Sequence, residues 1–188
     1  MIDRALITNI EEKIFVEDDP FPNCVIEDLL PKEIAIKAEE EFIDFNGTGD
    51  SGNARYQLTK RHTENYKKMP PTIKKIIDFL YSKDFIDILE KKFKLINVQP
   101  DWNLYGGGMH ESFKGGFLKI HSDFLYMRKS KFKRVLNILL YLNSDWNKEW
   151  GGSIEFWDKK MTKLKKSIAP DINKAVIFRT DKESNHGF

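Results

Sequence analysis

His121 and Asp123 close the run Gly116-Phe-Leu-Lys-Ile120, and their spacing of two puts both side chains on one face if that run is a strand. An imidazole and a carboxylate so placed are two ligands for one ion. A divalent iron with open coordination positions is typically held by two histidines and one carboxylate, so the pair calls for a second imidazole from a distant segment. The chain has four histidines, His62, His110, His121 and His186. Only His186 follows a further strand-like run, Ala175 to Thr180, and it is the candidate. His110, in Gly106-Gly-Gly-Met-His-Glu-Ser112, is expected at a pocket edge or in a structural role, and His62, in Lys60-Arg-His-Thr-Glu64, in solvent. On its own a His-x-Asp pair is a weak pattern, because such a pair at a strand end is more often a surface hydrogen bond.

The elements that must position these residues change character near position 95. Before it, Ile34, Ala38, Phe42 and Phe45 recur at helical spacing after Pro31; Ile73, Ile76, Ile77 and Leu80 do so after Pro70-Pro71, and Phe85, Ile88, Leu89 and Phe93 after Ser82. Three amphipathic helices are expected. Asn46 to Asn53 has the composition of a mobile surface loop. After position 95 the sequence predicts short strands over 97–105, 116–123, 134–143, 153–157, 164–169 and 174–180, separated by Gly, Asn and Pro turns. Many short strands without intervening helices suggest a sandwich or jelly roll. Within 134–143, Leu136, Ile138 and Leu140 form a core face, while Asn137, Leu139 and Tyr141 form the opposite one, a mixed surface suited to a polar ligand. Trp146, Trp150 and Trp157 are expected as core aromatics, and the basic run Arg128-Lys-Ser-Lys-Phe-Lys-Arg134 as a solvated loop.

The chain has 188 residues, enough for one domain with a sizeable core, and 31 basic against 29 acidic residues leave a net charge of only +2. That balance argues against a dedicated nucleic-acid binder. A single cysteine, Cys24, excludes an intrachain disulfide and a thiolate metal cluster. With no apolar stretch of bilayer length and no basic-then-apolar leader at the N-terminus, the expectation is a cytoplasmic protein without membrane contact.

Five ordered segments, Tyr105-Gly-Gly-Gly-Met-His-Glu-Ser, Gly115-Gly-Phe-Leu-Lys-Ile-His-Ser-Asp-Phe, Arg134-Val-Leu-Asn-Ile-Leu-Leu-Tyr-Leu-Asn, Trp150-Gly-Gly-Ser-Ile-Glu-Phe-Trp-Asp and Ser184-Asn-His-Gly, resemble the iron(II)/2-oxoglutarate dioxygenases, in particular the prolyl-hydroxylase-like branch. The resemblance covers about residues 97 to 188. It implies an α+β fold, a double-stranded β-helix (jelly roll) buttressed by N-terminal helices, with one domain over 1–188: mainly helical support to residue 95, then the jelly-roll core. It implies a hydroxylase that uses Fe(II), O2 and 2-oxoglutarate and releases succinate and CO2. His121, Asp123 and His186 match the metal ligands; Tyr105 and Tyr141 match positions lining the cosubstrate pocket. Asn137 is a further expected cosubstrate contact, with Leu139 and Ile154 as pocket walls. A peptide or protein prolyl residue is the first expected substrate, a small molecule the next. Family members hold the distal carboxylate of 2-oxoglutarate with a basic residue on a strand downstream of the second histidine, so that final strand is expected beyond Phe188; Lys119 is the nearest internal substitute. Two other readings share the fold: a non-catalytic jelly-roll metal-binding module, and a cupin-like metal enzyme that does not use 2-oxoglutarate.

Overall fold

The computed structural model describes residues 4–43, 48–50, 57–126 and 131–188. Its first half supplies helices α1 (Arg4–Lys13), α2 (Lys32–Ile43), α3 (Pro71–Leu80) and α4 (Lys83–Phe93). The last three form where the 3.6-residue apolar period predicts them, with Phe45 of the first expected stripe lying outside the described residues. Pro71 opens α3 in the first turn, where a missing N–H costs nothing. Ser82 caps α4 by accepting the Phe85 N–H, and Lys94 ends it in the left-handed conformation at φ 53°. Helix α1 was not expected; its buried Ile10, with Ile14 just beyond its end, packs with α4 and the rest of the helical layer.

Among the described residues nine strands follow the order β1 (Asn23–Ile26), β2 (Thr48–Asp50), β3 (Gln57–Thr63), β4 (Met109–Leu118), β5 (Leu136–Leu140), β6 (Ile154–Trp157), β7 (Leu164–Ile168), β8 (Ala175–Arg179) and β9 (His186–Gly187). They make three antiparallel three-stranded sheets, β1-β8-β5, β2-β3-β4 and β7-β6-β9. The first is the middle layer of the molecule. Its strands alternate strictly: Cys24, Ile26, Ala175, Ile177, Leu136, Ile138 and Leu140 face the helices. Val25, Val176, Phe178, Leu139 and Tyr141 face the other way, onto Ile154, Phe156 and Ile168 of the β7-β6-β9 sheet. The two-residue period of a strand thus converts one sequence pattern into two cores. The sheets remain separate three-stranded units, and an isolated bridge from His121 to His186 ties the segment after β4 to β9. Among the described residues no helix is long and apolar enough to cross a membrane.

Several expectations need correction. Residues 97–105 form turns instead of a strand: Asn97 and Leu104 take positive φ values of 55° and 51°. The Asp101 carboxylate also accepts the N–H groups of Asn103 and Tyr105, folding that segment on itself. The expected strand over 116–123 begins earlier, at Met109, and reaches His121 only as an isolated bridge. Part of the expected loop at 46–53 is strand β2, paired with residues 60–62 of β3, while the remainder lies outside the described residues. Trp150 is 68% exposed, and Trp146 and Trp157 are half-buried with their Nε1 groups donating to Gly151 O and Glu155 Oε2. These tryptophans therefore sit at the surface of the sandwich, outside both cores.

Candidate metal centre

His186 occupies a two-residue strand hydrogen-bonded on one side to β6, through Phe156, and on the other to the end of the β4 segment, where His121 N and His186 N each donate to the other's carbonyl at 2.9 Å. That bridge brings the rings of residues 65 positions apart in sequence to a centroid separation of 4.6 Å. Asp123, two residues beyond His121, supplies the carboxylate: Oδ1 lies 3.5 Å from His121 Nε2 and Oδ2 lies 3.8 Å from His186 Nε2. One donor atom from each of the three residues lies within 4.8 Å of the others, the only such group of three among the described residues.

The orientation of both imidazoles is fixed locally. His121 Nδ1 bonds the Lys119 carbonyl at 2.8 Å, and His186 Nδ1 bonds the Ser184 carbonyl at 2.9 Å. A carbonyl can only accept, so both protons are assigned to Nδ1 and both Nε2 lone pairs point at the shared space beside Asp123. Phe178, fully buried, packs against the His186 ring at 4.7 Å and closes the apolar side. Two neutral imidazoles and one carboxylate suit a divalent first-row metal, and the donor set fits iron(II).

Burial alone would raise the pKa of Asp123, but the His121 contact and the charges of His186 and Arg134 outweigh it and hold the carboxyl down at about 2. Burial lowers the pKa of His186. Burial also works against protonation of His121, where the neighbouring Asp123 carboxylate and the Lys119 carbonyl favour the charged form, prevail and raise the pKa.

The other expected site residues divide. Asn137 Nδ2 donates to Asp123 Oδ2, so the structure puts this amide on the candidate metal carboxylate. Tyr105 packs its ring against Phe124 at 5.0 Å and lines a cavity of about 450 Å3, whose other walls include Lys60, His62, Glu64 and His110. Tyr141 is packed with Leu139 and Ile154 in the cluster around Phe156 and Phe178, where burial raises its phenol pKa. Lys119 is exposed and contributes its backbone carbonyl to His121. His62, expected in solvent, is half-buried, opposite His110 in the β3-β4 register with ring centroids 5.7 Å apart. His110 itself is exposed, lines the same cavity as Tyr105 and has Nε2 on the Gly107 carbonyl at 2.7 Å.

Sequence reasoning missed Arg134. Grouped there with a solvated basic run, its side chain is only 12% exposed and lies 3.5 Å from Asp123 Oδ2. It donates to the Tyr105 carbonyl at 2.6 Å and stacks over Phe124 at 4.1 Å. The signal was its place two residues before an apolar strand; residues 128–130 of the run lie outside the described residues.

Residues 107–188, which hold all three candidate ligands, match the family model of the 2OG-Fe(II) oxygenase superfamily. In fold the chain is similar to a prolyl-4-hydroxylase from Pseudomonas putida, with a TM-score of 0.62 at 12% identity over 97% of this chain and 88% of that one. It is also similar to a prolyl hydroxylase from Trichoplax adhaerens, solved in complex with a peptide fragment of the hypoxia inducible factor oxygen degradation domain. There the TM-score is 0.53 at 13% identity, over 97% of this chain and 80% of that one. At such identities the likeness is one of fold. No curated protein sequence matches the chain. The segment around the three donors belongs to the 2OG-Fe(II) oxygenase superfamily. That match covers less than half of the chain; the cofactors it implies for the matched segment are Fe(II), 2-oxoglutarate and O2, on a fold like that of the prolyl hydroxylases.

Proposed function

We propose that this protein hydroxylates an unactivated C–H bond of a prolyl residue in a peptide or protein, with His121, Asp123 and His186 as the iron ligands. The convergence of these three donors, with both imidazoles aimed by their own strands, is the observation that carries the reading. Iron, when bound, couples the reduction of O2 to oxidative decarboxylation of 2-oxoglutarate, so that one oxygen atom enters the substrate and the other enters succinate, with release of CO2. The chain's own residues do the positioning. Tyr105 and Tyr141 orient the cosubstrate, and Leu139 and Ile154 wall its pocket. Asn137 and Arg134 act on Oδ2 of Asp123 from the protein side, and the buried Phe178 excludes water behind His186.

In this reading residues 1–188 work as one dioxygenase unit, the helical layer to residue 95 backing a jelly roll in the remainder. The face-to-face packing of β1-β8-β5 on β7-β6-β9 supports that arrangement. The cavity at Tyr105, walled by Lys60 and His62 of β3 and His110 of β4, is the place we assign to the substrate, and one structural neighbour was solved with a peptide.

The test is incubation with Fe(II), 2-oxoglutarate and a panel of proline-containing peptides under air. Succinate release accompanied by addition of one oxygen to a prolyl residue is expected. Oxygen addition confined to free amino acids would overturn the peptide assignment, and metal binding with no turnover of 2-oxoglutarate would return the protein to a binding role.

A further inference from the structure

We propose that Asn185 is a positioning residue for the metal centre, tying the strand that carries His186 to the turn between β6 and β7. The proposal rests on the reading of His186 as a metal ligand. Asn185 is 1% exposed, and its Nδ2 donates to the carbonyls of Asp158 at 3.0 Å and Lys159 at 3.2 Å. Its backbone carbonyl accepts the Trp157 N–H at 2.9 Å and its own N–H goes to Glu183 O at 2.9 Å. The side-chain oxygen, by contrast, is buried with no hydrogen-bond partner among the described residues. A buried amide carries a desolvation cost that an apolar residue of similar volume avoids. What Asn185 contributes in return is the pair of donors on one turn.

That turn is a rigid anchor. The Asp158 carboxylate accepts the N–H groups of Thr162 at 2.7 Å and Lys163 at 3.1 Å, while Asp158 N donates to the Lys163 carbonyl at 3.0 Å. The outward carbonyls of residues 158 and 159 are therefore held in place before Asn185 meets them. Strand β9, in contrast, is two residues long and has little ladder of its own. Adjacent residues on a strand point to opposite faces, so Asn185 and His186 act as the two arms of one lever. Gripping the outer arm sets the roll of the strand, and the roll sets where His186 Nε2 stands relative to Asp123, 3.8 Å away. The direct partner of the His186 ring is the Ser184 carbonyl, and loss of what orients a metal-bound histidine typically weakens metal binding about 10- to 100-fold; Asn185 acts on that orientation through the backbone of His186.

Cobalt(II) titration followed by visible absorption measures this without turnover. Asn185→Ala should bind Co(II) about 10- to 100-fold more weakly, whereas Lys159→Ala, which removes only an exposed ion pair with Glu183, should bind as the parent does. Global destabilisation does not imitate the effect: while the metal-free variant stays above roughly nine-tenths folded, lost stability alone changes apparent affinity by only about a tenth. Where Asn185→Ala does not reach that folded fraction, Asn185→Asp, of the same shape but without the donors, takes its place under the same criterion. Affinity within about twofold of the parent in the folded variant overturns the positioning role. His186→Ala separates the two claims: its undiminished Co(II) binding would sink the ligand reading itself, while impaired binding there beside unimpaired binding in the Asn185 variant sinks only the lever.

Discussion

The β1-β8-β5 sheet and the β2-β3-β4 sheet are both three-stranded and antiparallel, yet they are built by opposite means. The first places Ala175, Val176, Ile177 and Phe178 at 0% exposure between two apolar layers. The second places Lys60, Arg61, His62, His110 and Glu111 along its strands, with the Arg61 guanidinium on Glu111 and 5.2 Å from the Phe113 ring. Hydrophobic burial, which scales with area removed from water, holds the first; short-range polar pairing, screened by solvent, holds the second. The candidate metal centre lies where the segment continuing from β4 of the polar sheet meets β9 of the third sheet, β7-β6-β9, which packs on the apolar one.

Three substitutions test the contrast. Phe178→Ala removes a ring that contacts Phe156, Phe21 and His186, and should destabilise the protein by about 3–5 kcal/mol in urea unfolding. A loss below about 1 kcal/mol would mean that the sandwich collapses around the gap and is no tighter than the polar sheet. Asp123→Ala should lower Co(II) affinity by more than the roughly 100-fold upper range of outer-shell changes, while the metal-free protein loses far less stability than with Phe178→Ala. Equal losses of stability in the two variants would show that the centre is part of the core and not a site mounted upon it. The smallest effect belongs to Phe113→Ala, which gives up one partly exposed cation–π contact and should cost about 0.5–1 kcal/mol.

The same contrast explains what the sequence disclosed. Helices α2, α3 and α4 and the two faces of β5 were legible because burial imposes a period on apolar residues, and Leu136, Ile138 and Leu140 display it without interruption. Strand β3 was not, since Lys60-Arg61-His62 carries charge on both faces and owes its pairing to tertiary partners. The 97–105 segment misled because Val98, Trp102 and Tyr105 have strand-like side chains, while Pro100 and the Asp101 carboxylate turn the backbone. His121 and Asp123 announced themselves by a spacing of two, but the place of His186 beside them depends on pairing between segments far apart in the chain, which the family resemblance supplied. Arg134 stayed hidden because a guanidinium beside Asp123 is a tertiary fact with no periodic signature.

The Nδ1 bonds of His121 and His186 each close on a carbonyl only two residues earlier in the chain. The orientation of each ring on its own backbone is therefore written into a three-residue stretch, with the roll of the His186 backbone left to the Asn185 anchor, and neither passes through Lys60, Glu64, Tyr105 or Phe124, which shape the neighbouring cavity. Such a division means that a substitution in the cavity wall leaves the donors with their bearing unchanged. The molecule behaves as a fixed tool with an exchangeable handle, and the boundary between the two falls at the hydrogen bonds inside residues 119–121 and 184–186.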